Sequence, residues 1–129
     1  MSQARTALVV DDDPGSRRLL VRWLEEHGWR VQEAGTGEMA LQTLAEATVD
    51  LILLDVRMPG TLDGLQTAVI LRENAGLRNV PIIAVSASAQ ETFRHQALGA
   101  GCSAFLSKPV NLKLLLKEIE RFVPTGEPQ

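Results

Sequence analysis

Short apolar runs and longer amphipathic stretches alternate along this chain. Residues 7–10 are four apolar positions that stop at Asp11-Asp12-Asp13. Residues 51–54 form a second run that stops at Asp55, and 82–85 a third that stops at Ser86. Runs this short, bounded by polar residues and containing Val and Ile, read as strands buried on both faces. Residues 29–34 mix polar and apolar side chains, which predicts a strand at a sheet edge. A shorter run at 104–106, ending in Ser107-Lys108-Pro109, predicts a fifth strand.

Between these runs the apolar period lengthens to that of a helix. Asp13-Pro14 reads as an N-cap followed by Pro at the first helical position. Leu19, Leu20, Trp23 and Leu24 then form a stripe that ends at Gly28. A second helix is expected over 37–47, with Ala40, Leu41, Leu44 and Ala45 on one face. A third runs from Gly64 to about 74, after a loop holding Pro59 and Gly60. A fourth runs through Leu98 and is ended by Gly99 and Gly101. A fifth spans about 111–123, with Leu112, Leu115, Leu116, Ile119 and Phe122 on one face and Leu114 left outside it. Five strand–helix units in series predict an α/β fold, a doubly wound parallel sheet with helices on both faces. In such sheets ligands bind at the carboxyl ends of the strands, near a switch in strand order.

Composition narrows the function. At 129 residues, 45% hydrophobic and 22% charged, the chain fits one domain with a core of its own. The run 51–54 is as long as any apolar run, far short of the ~20 residues a membrane span needs. No basic, cleavable apolar leader is evident, so the cytoplasm is the expected compartment. Net charge is −3, with no basic block and no tyrosine, which argues against direct nucleic-acid binding. The one cysteine, Cys102, reads as a small buried filler, and His27 and His95 as lone surface or packing residues. Only three lysines occur, so the position of each carries information.

The polar strand ends hold the candidate chemistry. Read alone, Asp11–Asp13 either caps a helix or gathers around a cation, because adjacent carboxylates repel one another without one. Asp55 alone fits a cap or a solvated loop. Placed on neighbouring strands, Asp11, Asp12 and Asp55 form an oxygen cluster suited to Mg²⁺. Lys108 serves either as counter-charge or as a neutraliser of an incoming anion. Ser86 can hydrogen-bond that anion or cap the next helix. A carboxylate nucleophile beside Mg²⁺, Lys and a hydroxyl makes a phosphoryl-transfer site.

The strings Val9-Val10-Asp11-Asp12-Asp13, Leu54-Asp55-Val56-Arg57-Met58-Pro59, Asp63-Gly64, Val85-Ser86-Ala87 and Phe105-Leu106-Ser107-Lys108-Pro109 resemble those of bacterial two-component response-regulator receiver domains. The resemblance spans residues 5–123 and leaves 124–129 as a flexible C-terminal tail. It implies a five-stranded flavodoxin-like sheet in order 2-1-3-4-5 with five helices. It implies that Asp55 is phosphorylated, and that Asp11, Asp12, Asp55 and the Arg57 backbone carbonyl hold Mg²⁺. Ser86 and Lys108 would bind the phosphoryl group, and Ser86 and Phe105 would act as the switch pair. Arg57 and Ser88 match positions that tune phosphoryl lifetime, and Pro109 a proline that is usually cis. The implied partners are a histidine kinase or histidine phosphotransfer protein, an unidentified downstream effector, and a second copy on phosphorylation, with neither nucleic acid nor membrane. The expected output is a change of the surface formed by helix four, strand five and helix five. No output domain is expected within these residues.

One departure is that Gly60-Thr61-Leu62 sets Asp63-Gly64 one residue further from Asp55 than in relatives. It is the sequence support for a rival reading, an unphosphorylated pseudo-receiver acting as a protein-binding module. A phosphatase of the haloacid-dehalogenase type is disfavoured, since Arg57 stands where its second Asp would be. A flavin site is disfavoured because no Ser/Thr/Gly-rich phosphate loop follows the first strand.

Overall fold

The computed structural model describes residues 5–56, 64–87 and 91–123. The elements run β1 (Thr6–Val10), α1 (Pro14–Glu26), β2 (Arg30–Ala34), α2 (Gly37–Glu46), β3 (Leu51–Asp55), α3 (Gly64–Glu73), a short 3-10 turn (Ala75–Leu77), β4 (Ile82–Ser86), α4 (Glu91–Gly99), β5 (Ala104–Ser107) and α5 (Leu112–Phe122). The sheet is parallel throughout, in order β2-β1-β3-β4-β5. Every residue of β3 and β4 is buried, which explains their unbroken apolar runs. The edge strand β2 keeps only Ala34 buried and accordingly carries Arg, Gln and Glu.

Successive strand residues serve opposite cores, as the two-residue period requires. Leu8, Val10, Ile52 and Leu54 pack with Ala40 of α2, Ala68 and Leu71 of α3 and Ala97 of α4. Ala7, Val9, Leu51 and Leu53 pack on the other face with Leu20 and Leu24 of α1 and Leu115 and Ile119 of α5. Among the described residues no helix is long and apolar enough to cross a membrane.

Helix ends follow the predicted chemistry. Asp13 caps α1 by accepting from Ser16 N (3.2 Å), with Pro14 in the first turn. Gly28 takes φ +90°, and the amides of Gly28 and Trp29 return to the carbonyls of Glu25 and Leu24. Gly101 (φ +111°) repeats this arrangement after α4, its amide bonding Leu98 O and that of Cys102 bonding Ala97 O. Both are the left-handed closure that favours glycine. Gly99 thus ends the α4 span, and Gly101 makes the turn.

Three local expectations change. Leu19 is 55% exposed rather than part of the α1 stripe. It lies about 100° round the helix from Leu20, beyond the face that meets the sheet. Trp29 precedes β2, because its amide is used to close α1. Ala45, expected on the packed face of α2, is exposed at the margin of that face. Leu114 is 48% exposed on α5, as its position off the stripe implied. His27 and His95 are both exposed, and His27 stacks beside Trp23 with ring centroids 4.3 Å apart.

Candidate functional site

The reversal of strand order lies between β1 and β3, and the polar residues converge on the rim beside it. The register sets Val10 opposite Leu54, so Asp11 and Asp55 each follow the paired residues at the carboxyl ends of adjacent strands. On the next strand Val85 pairs with Asp55, and Ser86 pairs with Ser107 of β5. Lys108 follows Ser107, and its amide donates to the Ser86 carbonyl at 2.7 Å. The Lys108-Pro109 bond is cis.

Carboxylate oxygens of Asp11, Asp12 and Asp55 all lie within 4.8 Å of one another. Asp11 and Asp55 are buried, whereas Asp12 is exposed and opens the cluster to solvent. The Lys108 Nζ donates to Asp11 Oδ2 at 3.0 Å and to Asp55 Oδ2 at 3.2 Å. Burial pushes the Lys108 pKa down. The hydrogen bond that the ammonium donates to Asp11 and the charges of Asp55 and Asp11 outweigh that effect, so the net shift is upward and the ammonium stays charged. Among the described residues, three carboxylates stand against one ammonium at this rim, an excess of negative charge. A hard divalent cation bound by oxygen ligands offsets such an excess. The donor set therefore fits Mg²⁺.

Ser86 is fully buried at the end of β4. Phe105 is buried in β5 within the core under α2, α3 and α4. Gly64, the first residue of α3, lies against the backbone at the end of β3. A Cβ there would overlap the Asp55 carbonyl oxygen and the Val56 backbone. A side chain at this position would force α3 away from the end of β3. The positions expected to tune lifetime, Arg57 and Ser88, lie outside the described residues, as do Gly60-Thr61-Leu62 and Asp63.

Two cations at the ends of the sheet are absent from the strand-end motifs. Arg17, one turn into α1, donates to the Asp11 carbonyl at 2.7 Å and to Glu33 Oε1 at 3.0 Å. Arg72, in α3, donates from Nε to Gly101 O (2.7 Å) and from Nη1 to Leu77 O (2.8 Å) and Val80 O (2.6 Å). Helical spacing from the cap residue Asp13 brings Arg17 beside the Asp11 backbone, but nothing local marks its pairing with Glu33. Nothing local marks Arg72.

A family model for the response regulator receiver domain matches residues 7–120. The chain belongs to this family. As a receiver domain of two-component signalling, it is similar to a segment of the histidine-protein kinase BarA of Shigella flexneri, 32% identical over 94% of this chain and 13% of that protein. It is 41% identical to the transcriptional regulatory protein ResD of Bacillus subtilis, over 79% of this chain and 41% of that protein. The receiver thus spans well under half the length of these curated relatives. Solved receiver structures match it across nearly their whole length. The chemotaxis protein CheY4 of Vibrio cholerae superposes with TM-score 0.87 at 26% identity, covering 94% of this chain and 100% of that one. The receiver domain of sensor histidine kinase PA1611 of Pseudomonas aeruginosa, which has magnesium coordinated in its active-site cleft, superposes with TM-score 0.84 at 31% identity, covering 93% and 98%. Receivers of this kind are signalling domains and not turnover enzymes.

Proposed function

We propose that this receiver is a phosphoacceptor switch in which Asp55 accepts the phosphoryl group. The observation that carries the reading is the convergence of Asp11, Asp12, Asp55 and Lys108 at one rim, with the Lys108 ammonium bonded to both buried carboxylates. Asp11, Asp12, Asp55 and the Arg57 backbone carbonyl would hold Mg²⁺. Bound there, the ion supplies charge stabilisation for the phosphoryl oxygens.

The donor is a phosphohistidine on a histidine kinase or a histidine phosphotransfer protein. A carboxylate oxygen of Asp55 attacks phosphorus, the P–N bond to the donor imidazole breaks, and the imidazole leaves with that electron pair. Lys108 loses one carboxylate partner as Asp55 becomes an acyl phosphate, and its ammonium is then available to the new phosphoryl oxygens. The Ser86 hydroxyl, at the end of the adjacent strand, serves the same group. Arg57 and Ser88 tune how long the acyl phosphate lasts.

The added charge of about −1.5 to −2 biases the conformation of the rim. Ser86 moves toward the phosphoryl group, and Phe105 follows. Phe105 lines a cleft of about 330 Å³ with Glu91, Arg94 and Leu114, between α4, β5 and α5. That surface is the readout, whether an effector or a second copy of the chain binds it. The chain works in the cytoplasm, where kinases of this kind present their phosphohistidine.

Intact-mass measurement with a small acyl phosphate tests the chemistry. With Mg²⁺ present the mass rises by one phosphoryl group, and chelation of the metal abolishes the gain. An unchanged mass with Mg²⁺ and donor in excess contradicts the reading and supports a constitutive binding module.

A further inference from the structure

Arg17 has no part in the chemistry above, yet it holds the backbone on which that chemistry stands. Its Nη1 donates to the Asp11 carbonyl at 2.7 Å, and its Nε donates to Glu33 Oε1 on β2 at 3.0 Å. The carbonyl it holds belongs to the Asp11–Asp12 peptide. Because that unit is planar, fixing its oxygen also fixes the direction in which the chain enters Asp12. The other polar atoms of Asp11 are engaged as well. Its amide donates to Ala34 O (3.0 Å), Oδ1 accepts from Asp13 N (2.9 Å), and Oδ2 accepts from Lys108 Nζ (3.0 Å). Arg17 is the contact that acts on the peptide joining the two acids.

We infer that Arg17 is a positioning residue for the divalent-cation pocket. It sets the Asp11–Asp12 peptide so that a buried and an exposed carboxylate converge with Asp55, and Glu33 holds its guanidinium in place. The inference rests on the reading of the acidic cluster as a Mg²⁺ site.

Two effects of Arg17 on a bound cation have opposite signs. As a positive charge near the pocket it repels Mg²⁺, so its removal by that effect alone tightens binding. As a clamp it pre-forms the ligand set, so its removal loosens binding. The ion pair with Glu33 lets the two be separated. The double substitution Arg17→Gln/Glu33→Gln removes the clamp while keeping the net charge of the pair at zero.

Calorimetric titration of the full chain with MgCl₂ at constant ionic strength, beside thermal unfolding without metal, decides the matter. The double variant is expected to bind Mg²⁺ about tenfold more weakly than the unsubstituted chain, and Arg17→Gln, which also sheds a repelling charge, to bind more weakly by a smaller factor. Arg17→Lys, which keeps the charge but lacks the planar fork that reaches both the Asp11 carbonyl and Glu33, weakens binding in the same direction by less and keeps the test open if Arg17→Gln fails to fold. Folded variants that bind Mg²⁺ as tightly as the unsubstituted chain, or more tightly, overturn the inference, even where the unfolding temperature has dropped. Absence of Mg²⁺ binding by the unsubstituted chain overturns the reading of the metal site itself, and the inference with it.

Discussion

Cys102 and Arg72 meet at the amino-terminal ends of β4 and β5, away from the acidic rim. Burial pushes the Cys102 thiol up to about 11, opposed in part by the positive charge of Arg72. A thiol with that pKa is almost wholly protonated at neutral pH and, being buried, is a poor nucleophile. Alkylation of the native protein at pH 8 is therefore expected to be slow and to become fast only in denaturant, as followed by mass. Rapid labelling of the folded chain would contradict the assignment of Cys102 as packing. The linkage has a defined sign. The native thiol binds its proton more tightly than the unfolded thiol, whose ordinary value is 9.0. Its contribution to stability is full below pH 9 and is lost as the pH rises through about 11.

At the scale of elements, Arg72 does what no local pattern announces. From α3 its guanidinium reaches the carbonyls of Leu77, Val80 and Gly101 and the Ser103 hydroxyl (3.2 Å), and Ser103 Oγ also accepts from Ile82 N (3.1 Å). One side chain thus ties α3 to the segments that start β4 and β5. Gly101 is glycine for this reason as well as for its positive φ, since a Cβ there would overlap the Arg72 side chain. Arg72→Met leaves several part-buried carbonyls without this donor and is expected to lower unfolding free energy by about 1–3 kcal/mol. Urea unfolding checks this, and an unchanged midpoint would show that water replaces the guanidinium.

The same elements show what was legible in the sequence. The strands β1, β3 and β4 are full apolar runs ended by polar residues, so their carboxyl ends, and with them Asp11, Asp55 and Ser86, were readable. Gly28 and Gly101 were readable as stops because only a positive φ makes that turn cheaply. Arg17 with Glu33, and Arg72 with Gly101 and Ser103, were not. Their partners lie 16, 29 and 31 residues away, and no local period encodes a contact between separate elements. Leu19 was misplaced because a stripe counted along the chain does not show how wide a face the sheet will cover. The expectations for Arg57, Ser88 and the tail at 124–129 fall outside the described residues.

For the molecule as a whole, the two ends of the sheet carry different work. The amino-terminal end around β4 and β5 is fastened by Arg72. Among the described residues, the carboxyl end gathers three carboxylates and one ammonium where the order of strands reverses. Neutral packing would be more comfortable there, and a concentrated negative rim fits a site kept for a cation and a phosphoryl group. The most direct measurement compares the unsubstituted chain with Asp55→Asn after exposure to a small acyl phosphate and Mg²⁺, with the modified residue located by peptide mass spectrometry. The account predicts one acyl phosphate, confined to the peptide holding Asp55 and absent from Asp55→Asn. A phosphoryl group on another residue, or an equal mass gain in Asp55→Asn, would contradict it.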